Sequence, residues 1–531
     1  MAVKDKYAIP RARFPEQVGV DSKEIKALIE DFEENEIEVH SMMILRHGKV
    51  AYEGWRNPYS PESPHTMYSV SKSFVGIAMG YAVEEGLVTL DTKVIDIFPE
   101  YRPRKKDKNL EAMTVYHLLT MTAGKDVSVM SDKKKEDWIK DFFNSRWAFA
   151  PGEGWRYISE NTYMCCAIIQ RLTGLTVREY LTPRLFKPLG FTRTPFWEVD
   201  HHGLEAGGWG LFITTEELAR FILCLQQNGM YAGERVIPES WVKLATGNLV
   251  SNDQYEEPDA KAGYGFFFWR CALENTYRAD GMFSQFGYVF GDYDAAFIIT
   301  ASEIIEDKAR VAINRHFPKI FCKERRISPK DACDDLELSP MPVLEAKKRS
   351  TYEKLIEGRK INFLKNPVLN AAGWPLSMLT LPVTYMSAEK GGNIDNVELK
   401  FSENECTFTW DEGKEHNTIV CGMDGEYRKS KIRLAGIDFT AVSYAAWENE
   451  NTLEIWMRPL ESICERRIKL TFNGDNVRLI PESSPSLSAI AEYLSSLVPA
   501  FIPNAAVAQL GQKAMMGLDK ILEFPLFGSM E

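Results

Sequence analysis

The hydrophobic pattern along the first 300 residues predicts strands at both ends and helices between them. Residues 41–55 read as two strands, because β-favouring apolar residues flank a short glycine turn. Residues 264–270, 277–291 and 293–301 are aromatic and apolar and predict three further strands. We therefore expect one antiparallel sheet completed by distant parts of the chain, with the intervening helices forming an inserted subdomain.

Residues 70–85 predict a helix that is apolar nearly all round, and such a helix is usually buried. Gly76 and Gly80 lie four residues apart and would allow close packing on one side of it. Three further helices are predicted, the last with a capping-box start, at Thr114–Gly124, Thr162–Gly174 and Thr214–Gly229.

The pattern changes beyond about residue 320. Residues 321–379 are rich in charge and predict a linker with helical pieces, whereas residues 380–482 contain short alternating stretches separated by turn residues. Such stretches are typical of a small antiparallel β-domain, either a sandwich or a barrel. Residues 483–531 are apolar and mixed and predict a helical tail. The expected fold class is thus α+β, with residues 1–320 as the first domain.

Composition and charge exclude several classes of function. The 531 residues include 63 Lys and Arg against 75 Asp and Glu, a formal net charge of −12. A nucleic-acid partner is not expected, because neutralising phosphates needs clustered cations. The nine cysteines are irregularly spaced, which argues against a disulfide framework and suits a reducing compartment.

Neither a membrane partner nor a bound cofactor is expected. No stretch of about 18 consecutive apolar residues occurs, and the first 17 residues lack the apolar core of a signal peptide, so a cytoplasmic location is predicted. His201 and His202 match no metal-ligand spacing, and Cys165 and Cys166 lie in an apolar helix where inert core thiols are expected. The sequence also lacks a phosphate-binding loop and a dinucleotide fingerprint.

The segment Met67–Phe74 carries the most chemistry. Ser69 and Lys72 are three residues apart at the start of the buried helix, so both side chains lie on one helical face. A serine hydroxyl becomes a nucleophile when a base takes its proton, and a desolvated lysine amine can be that base. The alternative is that Ser69 caps the helix beside an exposed lysine. A second Ser-x-x-Lys match, Ser131 and Lys134, lies in a solvated charge run and is not expected to be catalytic.

Two later segments could complete a site. Tyr157 follows a Pro-Gly turn and precedes a buried helix, where it could relay a proton or act only as a packing lid. Gly281 interrupts a predicted strand, which marks either close approach of a ligand or a simple bulge. The backbone N–H of Met282 could then join that of Ser69 in binding an oxyanion.

Taken in order, these motifs resemble serine hydrolases of the class C β-lactamase and penicillin-binding-protein type, a group that includes esterases, peptidases and amidases. The resemblance runs over about 300 residues. It is carried by Ser69-Val70-Ser71-Lys72, by the stretch TVYHLLTMTAG, by Tyr157-Ile158-Ser159, by Ala206-Gly207-Gly208 and by Ala279-Asp280-Gly281. Some bacterial members carry an appended lipocalin-like β-domain, which the C-terminal region resembles loosely.

The resemblance implies a fold and a set of roles. The fold would be a β-lactamase/transpeptidase-like domain followed by the small β-domain. Ser69 would be the acylated nucleophile, Lys72 its proton acceptor and Tyr157 an acid and base. The amides of Ser69 and Met282 would form the oxyanion hole, and Ser159 would contact substrate.

One position departs from the family pattern. The third motif of true β-lactamases usually begins with Lys or His, whereas Ala279 supplies no cation to anchor a substrate carboxylate. Weak or no β-lactamase activity is therefore expected. Asp280 would repel a carboxylate if it faced the cleft, could attract an amine, or could pair with Arg278.

The predicted function is a serine hydrolase that acts through an acyl-enzyme on small esters, amides or peptides. The alternative is a binding or sensor protein on the same fold that acylates slowly or not at all.

Overall fold

The computed structural model describes residues 6–126, 137–200, 202–324, 335–365, 394–434, 436–486, 489 and 524–531. The chain divides into two compact units. One is formed by Met1–Arg56 and Ser60–Leu338, and the other by Asn57–Tyr59 and Ser339–Glu531. The described residues predicted to carry chemistry all belong to the first unit.

An antiparallel sheet forms the centre of the first unit. The strands of this unit are β1 (Val39–Arg46), β2 (Lys49–Trp55), β3 (His65–Thr66), β4 (Phe196–Trp197), β5 (Leu211–Ile213), β6 (Met230–Tyr231), β7 (Glu234–Arg235), β8 (Trp269–Arg270), β9 (Thr276–Gly281), β10 (Gln285–Phe290) and β11 (Ala295–Ala301). Six of them pair in the order β2-β1-β11-β10-β9-β8, so the early hairpin joins the late strands as the sequence predicts. Strands β3, β5 and β4 form a small separate sheet beside the nucleophile motif.

Helices cover both faces of the central sheet. They are α1 (Ser22–Glu34), α2 (Val70–Glu84), α3 (Val94–Ile97), α4 (Lys108–Ala112), α5 (Val115–Leu119), α6 (Trp138–Asn144), α7 (Ser159–Thr173), α8 (Val177–Leu181), α9 (Thr215–Gln226), α10 (Glu239–Ala245) and α11 (Glu306–His316). Helices α1 and α11 share a core with one face of the sheet. On the other face, Gly287 of β10 lies directly against Ile222 of α9, where a Cβ would overlap the isoleucine side chain. Helices α3–α8 lie between the two halves of the sheet in the sequence and form the inserted subdomain.

Helix α2 is buried as its sequence predicts. Every residue from Val70 to Ala82 is buried, because apolar or small side chains face all directions. A Cβ at Gly80 would overlap the indole of Trp241, and one at Gly76 would press on the carbonyl oxygen of Phe266. The two glycines therefore allow the predicted close packing on one side of α2.

The late strands differ from the prediction in one respect that affects the site. Residues 277–291 form two strands rather than one, because the chain turns at Met282–Ser284. Phe283 and Ser284 both have left-handed backbone angles, with φ of 62° and 66°, which a sequence without glycine or asparagine at these positions does not signal. Likewise, residues 264–270 contribute only the short strand β8 at their end.

The second unit is a closed β-barrel. Its elements are helix α12 (Glu353–Ile356) and strands β12 (Lys360–Phe363), β13 (Ile394–Phe401), β14 (Glu405–Glu412), β15 (Glu415–Gly422), β16 (Arg428–Leu434), β17 (Ile437–Asn449), β18 (Thr452–Pro459), β19 (Glu465–Asn473), β20 (Asn476–Ser484) and β21 (Leu526–Met530). The strands form a ten-stranded sheet in the order β15-β14-β13-β12-β21-β20-β19-β18-β17-β16, and a bridge between Gly422 of β15 and Tyr444 of β17 closes it. Alternate residues of β14 are buried, as the period of two predicts.

The barrel draws on more of the chain than the expected 380–482. Strand β12 comes from the predicted charged linker, and β21 comes from the predicted helical tail. These two strands pair with each other although about 160 residues separate them, so no local pattern announces the pairing. Residues 366–379 of the predicted linker lie outside the described residues. Of the predicted tail, residues 483–486, 489 and 524–531 are described and the others are not. Across the described ranges, no helix has the length and apolar character needed to cross a membrane.

Candidate active site

Ser69 and Lys72 are hydrogen-bonded at the start of α2. Tyr68 has a left-handed backbone (φ 44°), which turns the chain sharply from β3 into the helix, and Ser69 occupies the N-cap position. The Nζ of Lys72 lies 2.8 Å from the Oγ of Ser69, and Lys72 is 1% exposed. The alternative interpretation of the sequence, in which Lys72 is exposed, is therefore wrong.

Burial sets the protonation of this lysine. Desolvation lowers the pKa of the Lys72 amine to about 7, although the negative charges of Glu160 and Asp280 partly oppose the effect. A substantial fraction of the amine is thus neutral near neutral pH. A neutral amine can accept a proton from a hydroxyl that lies in contact with it.

The carbonyl oxygen of Gly208 fixes the direction of the amine. It accepts a hydrogen bond from Lys72 Nζ at 2.7 Å. A Cβ at Gly208 would overlap the side chain of Ser159, and one at Gly207 would overlap the sulfur of Cys166. The glycine pair therefore lets this loop approach α7 closely, and it brings Ser159 beside the lysine contact.

Tyr157 lies beside the same amine. The centre of its ring is 4.7 Å from Lys72 Nζ. Its loop is held where it leaves the Pro-Gly turn, since the backbone N–H of Arg156 donates to the carbonyl of Met121 and the Arg156 guanidinium pairs with Asp126. Two segments separated by 85 residues in sequence thus meet at Lys72.

Strand β9 closes the site from the sheet. A Cβ at Gly281 would overlap the carbonyl oxygen of Met67, two residues before the nucleophile candidate. Met282 follows in the tight turn, and the ring of Phe283 packs edge-on against Tyr68 at 5.0 Å. Within the described ranges, the backbone N–H groups of Ser69 and Met282 donate no hydrogen bond to the chain, so both can serve a ligand oxygen.

Asp280 is paired with Arg278, one of the options that its sequence context leaves open. The carboxylate lies 2.6 Å from Arg278 Nε, and the arginine is 1% exposed. Because successive residues of a strand point to opposite faces, Arg278 and Asp280 share one face while Ala279 and Gly281 share the other. Ala279 is fully buried, and as an alanine it places no cation at that position.

Tyr157 belongs to a group of packed aromatic side chains that the sequence analysis does not predict. Trp155, Tyr264 and Trp269 pack against Tyr157, and Tyr255 packs against Trp155 and Trp269. The run Gly263–Trp269 is readily interpreted as an ordinary buried strand, and Tyr255 lies in a polar loop. Only the three-dimensional meeting of these segments identifies them as neighbours of the site.

Two cysteines singled out in the sequence lie in the core of α7, and three other candidate residues fall outside the described ranges. Cys165 and Cys166 are fully buried in α7, where desolvation raises the pKa of both thiols. His201, Ser131 and Lys134 lie outside the described residues. In the ranges that the structure describes, no group of three or more His, Cys, Asp or Glu side chains is arranged to hold a metal ion.

Comparison with known proteins assigns this chain to a family. The family model described as Beta-lactamase matches residues 25–314, which is more than half of the chain. The chain belongs to the beta-lactamase family. The match contains every described site residue, whereas most of the second unit lies beyond its end.

Similar proteins within and around the beta-lactamase family include hydrolases. The 6-aminohexanoate-dimer hydrolase of Paenarthrobacter ureafaciens is 26% identical over 230 residues, covering 39% of this chain and 57% of the relative. Esterase EstB of Burkholderia gladioli is 26% identical over 174 residues, covering 28% and 44%. The chain thus spans about half the length of these curated relatives. A penicillin-binding-protein homologue from Caulobacter crescentus is 17% identical, with a TM-score of 0.46, covering 56% of this chain and 99% of that structure.

Proposed function

We propose that this protein is a serine hydrolase that cleaves small esters or amides through an acyl-enzyme on Ser69. The observation that carries the proposal is the 2.8 Å contact between the Ser69 hydroxyl and the buried Lys72 amine. The lowered pKa of that amine, about 7, supports its role as the proton acceptor.

The contacts of Lys72 support its part in the following sequence of proton transfers, and the part of Tyr157 follows from the family resemblance. In the reactive form, neutral Lys72 keeps one N–H on the Gly208 carbonyl and accepts the proton of the Ser69 hydroxyl. The Ser69 oxygen then bonds to the substrate carbonyl carbon, whose oxygen becomes an oxyanion held by the amides of Ser69 and Met282. Collapse breaks the bond to the leaving alcohol or amine, which receives the proton through Tyr157. Water repeats these steps on the acyl-enzyme, releases the acid and restores the Ser69 hydroxyl.

The proposed substrates are small esters or amides without a carboxylate near the scissile bond. Ala279 supplies no cation, and the carboxylate of Asp280 is ion-paired with Arg278. The names of the relatives, an esterase and a 6-aminohexanoate-dimer hydrolase, favour a substrate class of small esters or amides. By the same reasoning, β-lactams with their carboxylate should be poor substrates. Ser159, Gly281 and Asp280 are proposed to shape the binding site rather than to react.

The decisive experiment removes the nucleophile and compares it with a decoy. Ser69→Ala should abolish labelling by a fluorophosphonate probe and lower kcat/KM for p-nitrophenyl acetate by about 10⁴-fold or more. Ser131→Ala, which alters the second Ser-x-x-Lys match, is the control and should leave both measurements unchanged. Circular dichroism and the unfolding midpoint check that each variant folds.

The outcomes separate the two functional hypotheses. Labelling that persists in Ser69→Ala would contradict the assignment of the nucleophile. Labelling that depends on Ser69 but is not followed by turnover of any ester or amide would instead support the slowly acylating binding protein.

A further inference from the structure

Five aromatic side chains form one packed group beside the candidate nucleophile. We call this group the aromatic cluster, and it consists of Trp155, Tyr157, Tyr255, Tyr264 and Trp269. Ring centres of Trp155 and Trp269 are 5.5 Å apart, and each lies 5.2–5.3 Å from that of Tyr264. Tyr255 joins the group through contacts of 5.8 Å with Trp155 and 6.1 Å with Trp269.

The cluster has a buried base and an accessible surface. Tyr264 is 1% exposed and supports the others, whereas Trp155, Tyr157, Tyr255 and Trp269 are each partly exposed. The ring of Tyr157 lies 4.7 Å from Lys72 Nζ, so the accessible aromatic surface begins at the reacting groups. A ligand held at Ser69 therefore lies next to this surface.

The geometry of the rings indicates which chemistry they suit. A cage for an organic cation needs rings arranged around an open space. Here the rings contact one another directly, mostly edge to face, with interplanar angles of 68° to 85° among Trp155, Tyr264 and Trp269. They leave a surface rather than a cage, and a planar apolar group can stack on such a surface.

The ion pair beside Trp269 does not change this preference. The Arg278 guanidinium lies 5.7 Å from the ring centre of Trp269, but Asp280 pairs with it at 2.6 Å. The pair is neutral as a unit, so it offers neither a free cation to a carboxylate nor a free anion to an amine. Stacking and burial of apolar surface are what the cluster can supply.

We propose that the aromatic cluster is a subsite for a planar apolar leaving group, so that the natural substrate is an ester or amide of an aromatic alcohol or amine. This inference rests on the proposed function. The leaving side is assigned because Tyr157, the residue that returns the proton to the departing group, is itself a member of the cluster. The acyl portion lies on the other side of the bond that breaks.

The test compares benzyl acetate with ethyl acetate, because the two esters form the same acyl-enzyme and differ only in the leaving group. After correction for their rates of hydrolysis by hydroxide, kcat/KM for the benzyl ester should exceed that for the ethyl ester by about tenfold. Tyr255→Ala should lower this ratio about threefold, since it removes part of the surface without touching Tyr157. Phe527→Ala removes an exposed aromatic ring of the barrel and should leave the ratio unchanged.

A corrected ratio near one, or a ratio that Tyr255→Ala does not lower, would overturn the subsite. Hydrolysis that survives Ser69→Ala, or a protein that hydrolyses neither ester, would instead contradict the proposed function. In that case binding still decides the subsite, by titrating benzyl alcohol or ethanol into the protein and following tryptophan fluorescence. Benzyl alcohol should perturb the fluorescence at lower concentration than ethanol, and Tyr255→Ala should weaken its binding; equal effects of the two alcohols would reject the subsite.

Discussion

Two buried lysines of the first unit invite comparison, because burial lowers the pKa of both amines while their hydrogen-bond partners differ. Lys72 and Lys125 are each 1% exposed, and desolvation lowers the pKa of each amine to about 7. Each amine also lies near an aromatic ring, 4.7 Å from the centre of Tyr157 for Lys72 and 3.7 Å from the centre of Trp147 for Lys125.

Their hydrogen-bond partners separate them. Lys125 donates to two backbone carbonyls, those of Phe143 and Ser145, both at 3.0 Å. Carbonyl oxygens only accept, so among the described residues Lys125 has no hydrogen-bond partner from which it can take a proton. Lys72 has one carbonyl partner and one hydroxyl partner, Ser69. A lowered pKa makes an amine available as a base, but the amine can accept a proton only if a hydrogen-bond partner has one to give.

The largest expected effect comes from replacing each lysine by an apolar residue of similar length. Lys72→Met should lower kcat/KM for p-nitrophenyl acetate by about a thousandfold or more, because the Ser69 proton loses its acceptor. Lys125→Met is the matched control and should change kcat/KM less than about threefold. The comparison fails if both variants, confirmed as folded, lose activity to a similar extent.

A smaller effect should appear in the pH dependence. If neutral Lys72 is the base, kcat/KM should fall about tenfold for each pH unit below about 7 and level off above it. Lys125→Met should keep this profile. The inflection near pH 7 would then be assigned to Lys72 rather than to Lys125. Stopped assays of ester hydrolysis between pH 5 and 9 would measure it, and a profile that is flat across this range would argue against an amine base.

The smallest effect concerns stability, and here the two lysines should behave alike. In the unfolded chain a lysine titrates near its ordinary value of 10.5, whereas in the folded protein each titrates near 7. Between these values the unfolded chain binds more protons, so the free energy of unfolding rises with pH from about 7 to about 10.5. Each lysine contributes at most about 1.4 kcal/mol per pH unit to this slope.

Urea unfolding at pH 7, 8 and 9 measures that slope. Lys125→Met and Lys72→Met should each flatten it, in contrast to their unequal effects on activity. A slope unchanged by Lys125→Met would show that this lysine is not neutralised by burial.

Local patterns predicted much of this architecture. The hairpin at β1 and β2, the all-round apolar helix α2, the capped helix α9 and eight strands of the barrel follow from spacing and capping residues. The Ser69–Lys72 contact follows from the helical repeat, since side chains three residues apart share a face.

The features that were not predicted depend on pairing between distant parts of the chain or on left-handed backbone conformations. The turn at Phe283 and Ser284 uses conformations that these residue types rarely signal, so β9 and β10 read as one strand. Strands β12 and β21 pair across a long stretch of chain. Lys125 follows an apolar helix without any pattern around it, and its burial depends on residues 143–147 folding over it.

The acceptor that orients Lys72 is a main-chain oxygen, and this has a consequence for redesign. No substitution can delete the carbonyl of Gly208, because it belongs to the backbone. The rings of Trp155, Tyr255 and Trp269 are side chains, which substitution can remove. The polypeptide backbone thus preserves the direction of the amine's lone pair while the surrounding rings are free to be altered. Libraries that vary those rings should yield new selectivities while Lys72 keeps its Gly208 acceptor.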